Sequence, residues 1–168
     1  MSSIALGVAA LVAIDSFADN LTRSVREQSR SLLGGDASLT TRAEMSPAAD
    51  SLVDSLRRSG MTIARVTQFP SMAAITSNGN TRLIQVRGVS NTYPLYGDVI
   101  TEPATAFARI RREHAVVVDP GLLISLNTQV GDSLSLGYAT FVIAGTLKQV
   151  PGDAGFISVV GPRVFVSD

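Results

Sequence analysis

Apolar and polar positions change their rhythm several times along the chain, and each change predicts an element. Ile4 to Ile14 is unbroken small and aliphatic sequence, with Asp15 its first charge. Beyond it, Ile14, Ala18, Leu21, Val25 and Leu32 recur at helical steps, while Asp15, Asp19, Arg23, Arg26 and Arg30 fall mostly elsewhere. The pattern predicts one long helix that starts in apolar surroundings, enters water and closes at Leu33, before Gly34 and Gly35. A short strand is expected over Ala37 to Thr41. Ser46-Pro47 then supplies an N-cap acceptor and a first-turn proline, predicting a helix with Ala48, Leu52, Val53 and Leu56 as its apolar stripe and Gly60 as its stop. Met61 to Phe69 reads as the next strand, so that strand, helix and strand form a β-α-β unit with parallel strands.

From Pro70 the period becomes two. Ser71 to Ser77 and Thr81 to Val89 flank Asn78-Gly79, a pair suited to a two-residue hairpin turn. A turn-rich segment, Asn91 to Asp98, carries Tyr93, Leu95 and Tyr96. Such a loop either binds something or pins a connection to the core, and the second role is the commoner one for aromatic loop residues. Ala104 to Glu113 predicts a short helix and Ala115 to Val118 a strand. Asp119-Pro120 opens another helix bearing Leu122, Leu123 and Leu126. Ser133 to Leu136 and Thr140 to Leu147 form a second hairpin, with Phe141, Ile143, Gly145 and Leu147 expected on one face. Phe156 to Val160 and Arg163 to Val166 are the last expected strands.

Composition narrows the classes. The chain has 168 residues, 14 basic and 14 acidic, and 45% hydrophobic, enough for one domain or two small subdomains and without a net field to attract nucleic acid. There is no cysteine and one histidine, so disulfides and thiolate metal sites are excluded and no transition-metal site or other cofactor is expected. No Walker A loop and no Gly-x-Ser-x-Gly elbow is present. His114 and Asp119 would suit a hydrolase only with a nucleophile that no motif supplies. No catalytic residue is assigned.

The order of motifs carries more than any one of them. A helix leaves an apolar segment and closes at Leu33-Gly34-Gly35-Asp36. Later come Ala115-Val116-Val117-Val118-Asp119-Pro120-Gly121-Leu122-Leu123, then Val130-Gly131-Asp132-Ser133-Leu134-Ser135-Leu136-Gly137, then Phe141-Val142-Ile143-Ala144-Gly145-Thr146-Leu147. In this order the chain resembles the periplasmic core domain of the MacB and FtsX-like family of ABC transporter permeases. Ala5 to Asp36, Tyr93 to Gly97 and Gly161 to Phe165 resemble its YbbP-like branch of large permeases.

The resemblance implies an α+β fold: a long N-terminal helix, a porter-like β-α-β unit and a hairpin-rich β subdomain. Residues 1–16 are expected to be the outer end of a truncated first transmembrane helix, because a spanning helix needs about twenty apolar residues. Residues 17–168 are expected to be a core domain continuing past its last residue. The implied setting is a bacterial cytoplasmic membrane with this domain in the periplasm. Its partners would be the remaining permease segments, a separate cytoplasmic ATPase, and a periplasmic partner or a lipid, lipoprotein or peptide cargo. The implied role is mechanical. Ile14, Ala18, Leu21, Val25 and Leu32 mark the coupling helix, and Tyr93, Leu95 and Tyr96 a candidate partner or cargo loop. The alternative is a soluble extracytoplasmic ligand-binding module using the same loop.

Overall fold

The computed structural model describes residues 12–21, 24, 35–151 and 161–168. Residues 12–21 (α1) and Ser24 are helical; other parts of the predicted long helix, with Val25 and Leu32, lie outside the described residues, as does the expected strand Phe156 to Val160. Next come α2 (Pro47–Arg58), β1 (Val66–Ile75), β2 (Thr81–Val89), β3 (Ile100–Glu102) and α3 (Ala106–Arg109). They are followed by β4 (Ala115–Val118), α4 (Pro120–Leu126), β5 (Ser133–Leu136), β6 (Ala139–Gln149) and β7 (Arg163–Ser167). The fold is mixed α+β.

The strands form one sheet in the order β3-β6-β4-β7-β2-β1-β5, and β5 pairs back onto β6. The pairings therefore close into a ring of six strands, with β3 attached to the far end of β6. Most ladders are antiparallel, but β2 runs parallel to β7 and β4 to β6. The early half of β6 pairs with β5 and its last residues with β3, while its other side takes β4. Closure leaves the ring few open edges.

Two apolar clusters form on opposite sides of this wall. Inside, Ile75, Ile84, Val86, Val116, Val118, Leu134, Ile143 and Val164 come from six strands, and Leu122 and Leu126 of α4 close one end. Outside, α3 lays Ala106 and Ile110 against Ala115, Val117, Ala144, Leu147 and Phe165. Strand β4 contributes to both by alternation, which explains its unbroken Ala-Val-Val-Val sequence. Each of its residues is at most 1% exposed.

Several expectations change. Ala37 to Thr41 forms no strand: the segment is exposed, and Thr41 Oγ1 both donates to Ala43 O and accepts from Ala43 N, a local loop instead of a ladder. The predicted β-α-β unit over residues 37–69 is therefore not formed. Helix α2 starts as expected, with Ser46 Oγ accepting from Ala49 N at 3.3 Å, yet buries no side chain and leaves Leu52 exposed. The next strand begins at Val66 and runs straight through Pro70. Gln85, opposite Pro70, points its N–H away from β1 to Pro162 O, so Pro70 occupies a position whose nitrogen is not asked to donate to β2.

The first hairpin has the predicted strands but a longer turn. Ile75 N donates to Asn80 O, and Gly79, at φ +69°, donates to Ile75 O. Asn78 does not take a left-handed conformation; its amide instead donates to Leu126 O and Asn127 O, and Asn80 also donates to Leu126 O. Two asparagines thus satisfy the carbonyl end of α4. In β6 the expected single face is split. Val116 pairs with Ile143 but Val117 with Gly145, so Ala144 is an extra residue. Phe141 and Ile143 face inward, whereas Ala144 and Leu147 face outward. Gly145 sits where the chain passes closest: an added Cβ would lie 2.5 Å from Glu102 O and 2.6 Å from Ala106 Cβ.

Candidate functional site

The outer cluster carries the polar chemistry, and the loop after β2 is built into it. Ser90 Oγ accepts from Arg65 N at 2.9 Å and Thr92 Oγ1 donates to Ile63 O at 2.7 Å, which tie the loop's start to the approach of β1. Tyr93 then folds back over the sheet. Its ring lies 6.4 Å from that of Phe165 at a 40° tilt, and Arg87 Cζ stands 5.3 Å from the Phe165 centroid. With the Gln68 amide oriented by its partners, its oxygen accepts from Arg87 Nη2 at 2.7 Å and Nε at 2.9 Å. Burial pulls the Arg87 guanidinium below its usual range, with Tyr93 opposing and Arg163 adding to the effect. Burial also pushes the Tyr93 hydroxyl up, against the opposing pull of Arg87.

The loop's far side is fixed as firmly. Arg111 Nη2 donates to Tyr93 O, and its Cζ lies 5.1 Å from the Phe107 ring. Gly97, at φ +72°, stands against Pro151: a Cβ there would be 3.2 Å from Pro151 Cγ. Between these anchors, Tyr96 Oη donates to Asp36 Oδ2 at 2.7 Å, and Leu95 Cδ1 would be 3.8 Å from a Cβ added at buried Gly35. Tyr93, Leu95 and Tyr96 are all half-buried. The structure therefore places Leu95 and Tyr96 against Gly35-Asp36, whereas Tyr93 packs on Phe165. No sequence signal marks Asp36 as the partner of Tyr96 across 60 positions.

Of the expected coupling residues, Ile14, Ala18 and Leu21 lie on α1 and are exposed, with Ile14 at 64% and neighbouring Phe17 at 69%. No helix among the described residues is long and apolar enough to cross a membrane.

His114 and Asp119 are not brought together. They lie at opposite ends of β4, and Asp119 is committed to Arg163, accepting from its backbone N at 2.6 Å, Nε at 3.2 Å and Nη2 at 3.1 Å. The sequence suggested Asp119 as a helix cap or as a partner of His114, yet its side chain makes no cap bond and serves Arg163 instead. His114 lines a shallow cleft of about 260 Å³ with Arg111, Arg112, Phe141 and Ser167, its ring tilted 51° from Phe141. Among the described residues no three side chains are grouped to hold a metal.

Ring, α4 plug and outer loop define a domain with a packed interior and a polar, well-anchored outer face. Its sequence matches the MacB-like periplasmic core domain over residues 1–167, and the chain belongs to that family. Among individual proteins, it is 30% identical over 155 residues to the Uncharacterized ABC transporter permease YbbP of Escherichia coli (strain K12). That match covers 92% of this chain but 18% of the relative, so the chain spans under a fifth of the relative's length. The crystal structure of a permease-protein domain from Porphyromonas gingivalis shares the fold, with a TM-score of 0.51 at 14% identity, over 68% of this chain and 54% of that one.

Proposed function

We propose that the chain is the extracytoplasmic domain of an ABC transporter permease in a bacterial cytoplasmic membrane. In this reading the first helix passes ATP-driven motion from a separate cytoplasmic ATPase to periplasmic handling of a lipid, lipoprotein or peptide cargo. Family membership supports the setting. The observation that supports the coupling role is α1, whose Val12, Ile14, Phe17 and Leu21 are each more than half exposed. A helix that keeps large apolar side chains outside its own domain core is suited to continue into apolar surroundings or against another permease segment. The helix is also stiff, because its backbone hydrogen bonds are internal.

The test is made in the complete reading frame. A reporter fused after Asp168 is expected to be active only outside the cytoplasm, and Leu21→Pro, which breaks the helix at about 3 kcal/mol or more, is expected to abolish ATP-coupled activity while the barrel still folds. Leu21→Ala is the mild control. A water-soluble secreted product would favour the ligand-binding module instead, and unchanged coupling in Leu21→Pro would remove the mechanical role.

A further inference from the structure

Among the described residues, two routes lead from Gly35-Asp36 into the barrel. The covalent route runs through residues 37–46, which are mostly exposed and unpaired by any ladder, and then through α2, which buries no side chain. Such a route is compliant: displacement at Asp36 would be absorbed by rotation of exposed backbone before reaching β1. The second route is through space. Asp36 accepts the Tyr96 hydroxyl at 2.7 Å and buried Gly35 packs beside Leu95. The loop bearing both is clamped by Tyr93 on Phe165 of β7, by Arg111 on Tyr93 O, and by Gly97 on Pro151 at the end of β6.

We propose that Leu95 and Tyr96 form a seat for the chain's own Gly35-Asp36, and that motion of the first helix enters the barrel there and not through α2. The inference rests on the reading of the chain as a permease domain with a coupling helix. The seat joins Gly35-Asp36 to β7, a strand in the middle of the sheet, so a push at Asp36 acts on the packed wall itself. Its chemistry suits this segment: a hydroxyl placed for the Asp36 carboxylate, and a leucine beside a residue without a side chain. A larger residue at position 35 would crowd Ala37 O, 3.2 Å from the added Cβ.

The experiment uses the full-length permease with its ATPase in lipid bilayers, with all native cysteines outside this cysteine-free chain replaced. A dye is placed at Ser38, beyond the seat on the covalent route, or at Tyr138, the exposed tip of the β5–β6 hairpin. Quenching of each dye by headgroup-nitroxide lipid is compared between nucleotide-free and vanadate-trapped states. In the otherwise unaltered protein both dyes are expected to change. In Tyr96→Phe with Leu95→Ala, the change at position 38 persists and the change at position 138 falls at least fivefold, with the melting temperature of the barrel kept. Asp36→Asn is the conservative second variant and gives a smaller loss. Joining Asp36→Cys to Tyr96→Cys with a short bifunctional thiol reagent restores the signal at 138.

An undiminished change at position 138 in the double variant, or no recovery on cross-linking, overturns the seat and leaves the coupling helix standing. No nucleotide-dependent change at either position in the unaltered protein overturns the coupling reading and the seat with it.

Discussion

The two buried clusters share strands β4, β6, β7 and β2 yet are built on different principles. The interior consists of aliphatic side chains from every strand of the ring, plugged by α4. The exterior mixes apolar contacts with Arg87, Tyr93 and Arg111, each engaged with a neighbour. Burial of each large interior side chain contributes about 1.5–3 kcal/mol and asks for little directional precision. The outer layer also buries Phe165, Ile110 and Val117, and in addition holds a particular loop in a particular place. Both sides contribute stability, and the loop's position is set outside the wall.

The sharpest way to separate the two is a matched pair of truncations. Ile143→Ala and Phe165→Ala should each cost about 3–4 kcal/mol in denaturant unfolding, but hydrogen exchange should distinguish them. Phe165→Ala should release the amides of residues 91–98 well below global unfolding, whereas Ile143→Ala should lower all protected amides together. Equal loosening of the loop in both variants would erase the distinction.

Gly145→Ala comes next, at about 3 kcal/mol. Its Cβ would press on Glu102 O and Ala106 Cβ, pushing β3 and α3 off the wall while the interior keeps its packing. Loss of α3 packing, read as near-ultraviolet dichroism around the neighbouring aromatic side chains, should precede global melting.

Asp119→Ala should cost about 2–3 kcal/mol. The pair with Arg163 is only 19% exposed on each side, and removal of the carboxylate takes away an acceptor shared by the Arg163 guanidinium and its backbone N–H at the start of β7. The corresponding cost of cutting the exposed Arg57–Asp54 pair on α2 should be close to zero. Paired melting curves test the contrast.

The smallest effect is a pH dependence at the turn before β5. Hydrogen bonds from the Thr128 hydroxyl and then from Gln129 N hold Asp132 below the usual aspartate value of 3.8. A depressed folded value means that this contribution is fully present above 3.8 and is lost as pH falls through the folded value. The stability gap between the unaltered protein and Asp132→Asn should therefore shrink on acidification below that point, and a gap that stays constant would contradict it.

Local sequence carried the elements whose signal lies within a few residues. The uninterrupted Ala115 to Val118 gave the doubly buried strand, Ser46-Pro47 and Asp119-Pro120 gave helix starts, and the alternation around Asn78-Gly79 gave the first hairpin. What escaped were properties of neighbours distant in sequence. β7 lies between β2 and β4, so the two halves read as separate subdomains become one ring. The Ala144 bulge breaks a period-two pattern that Phe141, Ile143, Gly145 and Leu147 otherwise satisfy, because alternation reports parity and cannot register an extra residue. The strand expected at Ala37 failed since, among the described residues, no strand pairs with it and Thr41 bonds locally to Ala43 instead. The Asp36–Tyr96 bond joins two loops, where no periodicity exists to read.

The place of β7 also fixes an order of events during synthesis. A nascent chain that has emerged only as far as β6 contains β2 and β4 but not the strand that belongs between them. Both then present unpaired backbone, the usual starting point for pairing with other chains. Residues 163–167 behave as a keystone: the arch stands in pieces until the last stone arrives.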